Sequence, residues 1–225
     1  MTSRVFRERL SRRADKAGVS LSGSVIVEQL EAYYRLLARW NRKINVTAFQ
    51  LEEPNDQAVD RLLIEPLAAA RFVADSPLTW FDLGSGGGSP AIPLKIARPA
   101  AHLTMVESKT RKAAFLREAV RTLGFADAAV ENARFEEVAA GAPAGGVADL
   151  LTVRAVKADE RLFGVARALL REGGRLLLFR AADSSIAVPR GFRPLGIARL
   201  VDLTQSSQIA IFVRTENVPR GTKTA

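Results

Sequence analysis

Between residues 26 and 44, Ile26, Leu30, Tyr33, Leu37, Trp40 and Ile44 recur at spacings of 4, 3, 4, 3 and 4. That period makes one face of a helix apolar, and the stripe is read as core. The other faces carry Arg35, Arg39, Arg42 and Lys43. Ahead of the stripe, residues 3–17 predict a short basic helix ending near Gly18, and Ser22 or Ser24 can cap the second helix. Residues 45–55 read as a loop with Pro54 near its end. A helix from about Gln57 to Ala74 follows, which Pro66 kinks or divides.

From residue 78 the period changes. Short apolar runs at 78–84, 102–107, 128–131, 148–153 and 175–180 predict strands. Between them lie helical stretches at 91–97, 109–123, 134–140 and 158–170. The second of these has Ala113, Leu116, Val120 and Leu123 on one face, and Gly173-Gly174 closes the last. Two strand-like stretches, 196–203 and 208–214, come at the end, and residues 217–225 look like a frayed tail. Strands alternating with helices imply a largely parallel sheet covered on both faces, and right-handed crossovers make it a doubly wound α/β domain. Two final strands without a helix between them predict an antiparallel hairpin at one edge. The expected division is a basic helical extension over 1–56 and the α/β domain over 57–225.

Composition narrows the chemistry. The chain has 225 residues, 48% hydrophobic and 25% charged, with no Cys and one His, His102. Disulfides, zinc-thiolate sites, iron–sulfur clusters, cysteine nucleophiles and two-His metal sites are therefore excluded, and no metal is expected. No apolar run approaches the ~18 residues of a membrane span, and residues 1–10 lack a signal-peptide core, so the expected location is the cytoplasm with no membrane partner. Lys and Arg total 33 against 24 acids, a net charge of +9. Residues 1–50 hold ten basic and four acidic side chains. A basic N-terminal portion suits a polyanion such as nucleic acid, or simply a solvated surface.

The sharpest local signal is Asp82-Leu83-Gly84-Ser85-Gly86-Gly87-Gly88, between the first strand and first helix of the α/β part. Open α/β sheets hold ligands beyond the carboxyl ends of their strands, at the point where strand order reverses. No Lys follows to make a P-loop, and Ser89 stands where a dinucleotide fingerprint needs its third Gly. The second strand ends in Glu107, whose carboxylate can accept both hydroxyls of a ribose. An acid at Asp82 opposes a pyrophosphate and favours a cation, such as the sulfonium and amino group of S-adenosylmethionine. Gly87-x-Ser89-x-Ala91 approaches a nucleophile elbow, but the one available base, His102, lies at the wrong end of its strand.

Five segments together resemble a known family. They are Leu37-x-x-Trp40-Asn41-x-x-x-Asn45-Val46-Thr47, Asp82 through Leu94, Glu107-Ser108-x-x-x-Lys112-x-x-Phe115-Leu116, Arg134-x-Glu136-Glu137 and Arg154-Ala155-Val156. The chain looks like the bacterial 16S ribosomal RNA guanine-N7 methyltransferase G family, also called glucose-inhibited division protein B. The likeness runs from about residue 28 to 180 and more loosely to the end. It implies a Rossmann-like class I methyltransferase sheet with S-adenosylmethionine as cofactor. Gly84 and Ser89 would line the cofactor's methionine and ribose side, Asp82, Gly86 and Gly88 would also bind the cofactor, Glu107 would take the ribose, and Phe135 and Glu136 would border the adenine. Arg154 would sit by cofactor and target base as a positioning residue, holding guanine O6 or a phosphate; its alternative role is a buried pairing with Asp82 or Glu107. The implied substrate is one guanine in a decoding-centre loop of small-subunit rRNA, free or in the 30S particle, handled by a monomer. Guanine N7 reacts without losing a proton, so no general base is needed.

The family pattern is not matched throughout. Ser89 and Ala91 replace an apolar residue and a glycine of the loop, Leu62 and Glu65 a histidine and an aspartate, Val153 a serine, and Arg180-Ala181 a Lys-Gly. Two other readings follow: a divergent methyltransferase acting on another RNA, a protein or a small molecule, and a non-catalytic RNA-binding module.

Overall fold

The structure, a computed structural model, describes residues 2–21, 23–53, 55–181, 187–202 and 206–215. Ser22, Pro54, residue 203 and the tail 217–225 lie outside the described residues. Helix α1 spans Ser3–Lys16, with the Thr2 side chain accepting from the Val5 amide, and α2 spans Ser24–Asn41. Ser24 is the first residue of α2 rather than its cap, since Gly23 precedes it without a side-chain hydrogen bond. Of the apolar stripe, Leu30, Tyr33 and Leu37 are buried, while Ile26, Trp40 and Ile44 are half-buried at its margins.

The expected helix over 57–74 is four short pieces. They are α3 (Asp56–Val59), a π turn (Asp60–Ile64), α4 (Glu65–Ala69) and a 3-10 turn (Ala70–Phe72). Pro66 is the physical reason. It has no N–H, so a helix running through it lacks one donor, which an α turn would aim at the Leu62 carbonyl and a π turn at the Arg61 carbonyl. Both carbonyls are used elsewhere, as described below.

The α/β part follows as β1 (Thr79–Leu83), α5 (Ala91–Ala97), β2 (His102–Val106), α6 (Thr110–Leu123), β3 (Ala128–Glu131), α7 (Phe135–Ala140), β4 (Ala148–Arg154), α8 (Glu160–Leu169), β5 (Leu170–Ala181), β6 (Phe192–Asp202) and β7 (Ser206–Arg214). They form one seven-stranded sheet in the order β3-β2-β1-β4-β5-β7-β6. β3 to β5 are parallel, and β7 pairs antiparallel with both β5 and β6. The hairpin is thus at an edge as expected, with the last strand inserted and β6 outermost.

Gly173-Gly174 does not close α8. The helix ends at Leu169 and β5 starts at once, with both glycines inside it. At Gly174 a Cβ would stand 2.8 Å from the Arg171 carbonyl oxygen and 2.9 Å from that of Ala148, where the β4–β5 register shifts. The glycine therefore allows a close backbone approach at a bulge.

One face of the sheet is covered by α7 and α8. The other is covered by α5 and α6, and the same hydrophobic cluster continues through Leu30 and Leu37 of α2 to Phe6 and Leu10 of α1. The N-terminal helices are also held by charge. Arg13 makes a two-pronged, buried pair with Asp60 at 2.7 and 2.5 Å, and Arg7 and Arg35 both reach Glu31 at 2.8 Å. Seven of the ten basic residues in 1–50 (Arg4, Arg7, Arg9, Arg12, Arg13, Arg35 and Arg39) are in such pairs. Much of the basic excess is therefore paired within the fold, although only the Arg13–Asp60 pair is buried on both sides.

Candidate active site

The strand order reverses between β1 and β4, and the glycine loop leaves β1 at that point. Gly84, Gly86 and Gly88 take φ of +72°, +53° and +83°, where a side chain is strained. At Gly88 a Cβ would also stand 2.4 Å from Ile92 Cδ1. These turns bring the Gly86 amide to Glu107, which accepts from it through Oε2 at 2.9 Å and from the Lys109 amide through Oε1 at 2.7 Å. Glu107 is only 6% exposed, yet it lines a cavity of about 360 Å³ with Gly84, Gly86, Gly87, Ser89 and Arg154. A second cavity of about 200 Å³ touches the first at Gly84 and is lined by Val106, Phe135, Glu136 and Arg161. Arg161 pairs with Glu136 and lies over the Phe135 ring, 5.9 Å from its centroid. The expected site residues thus divide. Gly84, Gly86, Ser89, Glu107 and Arg154 line the larger cavity, and Phe135 and Glu136 the smaller, whereas Asp82 and Gly88 line neither.

Asp82 lies behind the loop. Its carboxylate accepts from Thr152 Oγ1 at 2.5 Å, and Thr152 in turn accepts from Trp80 Nε1 at 2.8 Å. Burial raises the Asp82 carboxyl to about 6, against the lowering effect of the Thr152 hydrogen bond. Its ionised form would place negative charge under the loop without touching a ligand. The β1–β4 register pairs Asp82 with Thr152, a partner visible only once strand order is known.

Arg154, at the end of β4, is clamped. Nη1 donates to the Arg61 carbonyl at 2.6 Å and to Ser89 Oγ at 3.1 Å, and Nη2 pairs with Glu65 at 3.1 Å. Its guanidinium lies 4.6 Å from the Phe179 ring centroid. The buried partner is Glu65, in place of the Asp82 or Glu107 considered from sequence. Burial lowers Arg154 to about 10, partly opposed by Glu65. Ser89 Oγ donates to the Leu62 carbonyl at 2.9 Å. Two carbonyls of the π turn, Leu62 and Arg61, therefore anchor the loop and Arg154. Residues that depart from the family pattern, Leu62, Glu65 and Ser89, meet in this one network. The next residue, Ala155, takes φ +58° at the cavity wall, a left-handed conformation uncommon outside glycine.

Sequence reasoning placed Tyr33 in the core and missed its second role. Its buried hydroxyl donates to the Gly87 carbonyl at 2.6 Å, tying α2 to the glycine loop. Asn41 fixes the segment after α2, donating to the Phe49 carbonyl and accepting from the Thr47 amide, both at 2.9 Å. Val46, Thr47 and Phe49 then wall the cavity. His102 begins β2, at the opposite end from the loop, with its side chain 60% exposed. Among the described residues no group of three or more His, Cys, Asp or Glu side chains could hold a metal, and no helix is long and apolar enough to cross a membrane.

This donor set suits S-adenosylmethionine. A buried carboxylate closes β2 and faces the larger cavity, a second acid lies beneath the loop, and Gly86 has open space where a side chain would stand. An aromatic ring and a carboxylate border the adjoining cavity, where a planar base fits.

Comparison with known proteins points the same way. A family model described as rRNA small subunit methyltransferase G matches residues 26–190. Over 157 residues the chain is 41% identical to the ribosomal RNA small subunit methyltransferase G of Stenotrophomonas maltophilia, covering 70% of each chain. The protein of the same name from Xanthomonas campestris pv. campestris is 40% identical over 164 residues, 72% of this chain and 73% of the relative. A solved structure of a mutant of MtNAS in complex with S-adenosylmethionine is similar with a TM-score of 0.58 at 15% identity, covering 95% of this chain and 86% of that one. At that identity the likeness is one of fold.

Proposed function

The chain belongs to the rRNA small subunit methyltransferase G family, and from that premise we propose that it methylates N7 of a guanine in the decoding-centre loop of 16S rRNA. The observation that carries the reading is Glu107, a buried carboxylate oriented by the Gly86 and Lys109 amides at the wall of the larger cavity. Both oxygens keep lone pairs for a ribose. S-adenosylmethionine, when bound, supplies an electrophilic methyl group on a sulfonium. In this reading Gly84, Gly86 and Ser89 line its methionine side, Phe135 and Glu136 its adenine, and Gly88 lets the loop turn.

The chain's own task is to position and desolvate. Guanine N7 offers a lone pair and loses no proton, so the distance of His102 from the loop costs nothing. Asp82, once ionised, favours positive charge above it. Arg154 holds Ser89, the π turn and Glu65 in one piece, and so keeps the wall beside the target base rigid. It is a positioning residue in this reading, since both terminal nitrogens are already engaged. The interlocking of Leu62, Glu65 and Ser89 supports retention of the family's activity despite its altered residues.

Residues 1–56 serve as an RNA-facing extension of a methyltransferase domain spanning 57–225. Lys16, Arg42 and Lys43 of the extension, with Lys109 and Lys112 at the cavity, supply positive charge for a phosphate backbone. The partner is small-subunit rRNA, free or within the 30S particle, met by a monomer in the cytoplasm. The test is transfer of a labelled methyl group to rRNA and to 30S particles, followed by mass-spectrometric mapping. N7-methylguanine in the decoding-centre loop is expected, with RNA affinity falling steeply as salt rises. Cofactor binding without transfer to either substrate overturns the reading.

A further inference from the structure

We infer that Trp40, with Arg39 and Lys43, forms a stacking subsite for a nucleobase of the substrate RNA beside the target guanine; this rests on the rRNA-methylating reading above. Trp40, Arg39, Lys43 and Glu118 line a cavity of about 290 Å³, separate from the cofactor cavities. Trp40 is half-buried at the margin of the apolar stripe, so part of its side chain remains exposed. It is held at two points. Nε1 donates to Glu118 Oε2 at 2.9 Å, and the ring meets Phe115 edge-on with centroids 5.9 Å apart. Arg39 pairs with the same carboxylate, so Glu118 is neutralised where an RNA phosphate would otherwise be repelled. Lys43 adds a further positive charge at the rim.

The position of the cavity selects RNA as its occupant. Lys112, Phe115 and Glu118 follow one another at three-residue intervals on α6. Lys112 lines the cofactor cavity and reaches the Val46 carbonyl at 3.4 Å, Phe115 touches Trp40, and Glu118 lies in the second cavity. Six residues of helix separate the two, a rise of about 9 Å. A chain entering the cofactor cavity with its target base therefore passes Lys112 and meets Trp40 with a neighbouring nucleotide. An aromatic ring beside a net positive charge, here that of Lys43, is the chemistry that holds single-stranded bases without reading their sequence.

Trp40 also reports on the subsite. The chain has two tryptophans, and Trp80 is fully buried with its N–H bonded to Thr152. Protein-free small-subunit rRNA, titrated into the intact protein, should quench the emission of Trp40, whereas heparin, a polyanion without bases, should not. Trp40→Phe should lose the quench. Trp40→Ala should raise KM for rRNA by about ten-fold with kcat and KM for S-adenosylmethionine unchanged, and Trp40→Tyr should restore most of the affinity. If rRNA binds and is methylated while emission is unquenched, the subsite is refuted and the proposed function stands. Where only 30S particles are methylated, the same titration is made with them, and methylation without quenching refutes the subsite. Wild-type protein that neither binds nor methylates rRNA, free or in 30S particles, overturns both. The wild-type titration decides the matter even where Trp40→Ala fails to fold.

Discussion

The two ends of the sheet both carry cavities, and the larger one is at the end without the expected chemistry. At the amino end about 610 Å³ opens between Arg71, Asp149, Arg171, Gly174 and Arg175. There the polar groups serve one another. Asp149 accepts from the Thr79 amide at 2.7 Å and pairs with Arg171, and Arg175 donates to the Phe72 carbonyl at 3.2 Å. At the carboxyl end the cavities of about 360 and 200 Å³ are walled by a buried carboxylate and the left-handed Ala155 as well as by left-handed glycines, of which the amino end also has one, Gly173. Volume alone would choose the wrong end. What distinguishes a site is costly local structure turned toward open space, because strain and buried charge persist only where the surrounding fold over-determines them.

The sharpest way to break this contrast is one substitution at each end. Gly88→Ala forces a Cβ against buried Ile92 at a φ of +83°, whereas Gly173→Ala at +76° meets nothing within 4 Å. The first is expected to cost about 2–4 kcal/mol and to abolish cofactor binding; the second costs about 1 kcal/mol of strain alone. Thermal melts with and without S-adenosylmethionine check both, and equal losses at the two ends would remove the distinction. Next in size is Glu107→Ala, expected to weaken cofactor binding by roughly 1–3 kcal/mol, or about 5- to 150-fold. Asp149→Ala at the other end should leave the calorimetric affinity unchanged.

A smaller effect is expected from Tyr33→Phe, which leaves the Gly87 carbonyl without its donor. A loss of about 1 kcal/mol in stability should come with cofactor affinity weakened a few-fold, read by titration. The smallest effect concerns pH. Burial holds the Asp82 carboxyl at about 6, above the roughly 3.9 of an unfolded chain. The folded state then binds more protons in between, so this residue's contribution to stability is full below about pH 4 and lost as pH rises through about 6. Asp82→Asn should flatten that fall, seen as a pH-dependent difference in Tm between the two proteins. An unchanged profile would mean that Asp82 is ionised throughout.

Charge gives a second contrast within the same molecule. Counted along the chain, the basic N-terminal portion looks like a surface for polyanions. In the fold, Arg7, Arg13, Arg35 and Arg39 are bound to Glu31, Asp60 and Glu118. The cations left for a phosphate backbone are fewer and lie near the ends of α1 and α2 and the start of α6. Composition reports how many charges exist, but apart from Arg35, four residues from Glu31, their partners lie 24 to 79 residues away in the chain.

Patterning determined a good deal on its own. Alternating strands and helices required a parallel sheet, the last two strands required an antiparallel pair, and glycines after the first strand required a turn where ligands bind. These follow because side-chain period and glycine conformation are local properties. Glu107 was legible for the same reason, as an acid at a strand's end. Tertiary structure decided the rest. Thr152 became the partner of Asp82 through strand order, Tyr33 reached Gly87 across 54 residues, and the π turn before Pro66 presented carbonyls to Ser89 and Arg154. Whether a buried polar group is a ligand contact or a brace depends on which groups converge on it in space, and that convergence comes from packing, which no local period encodes.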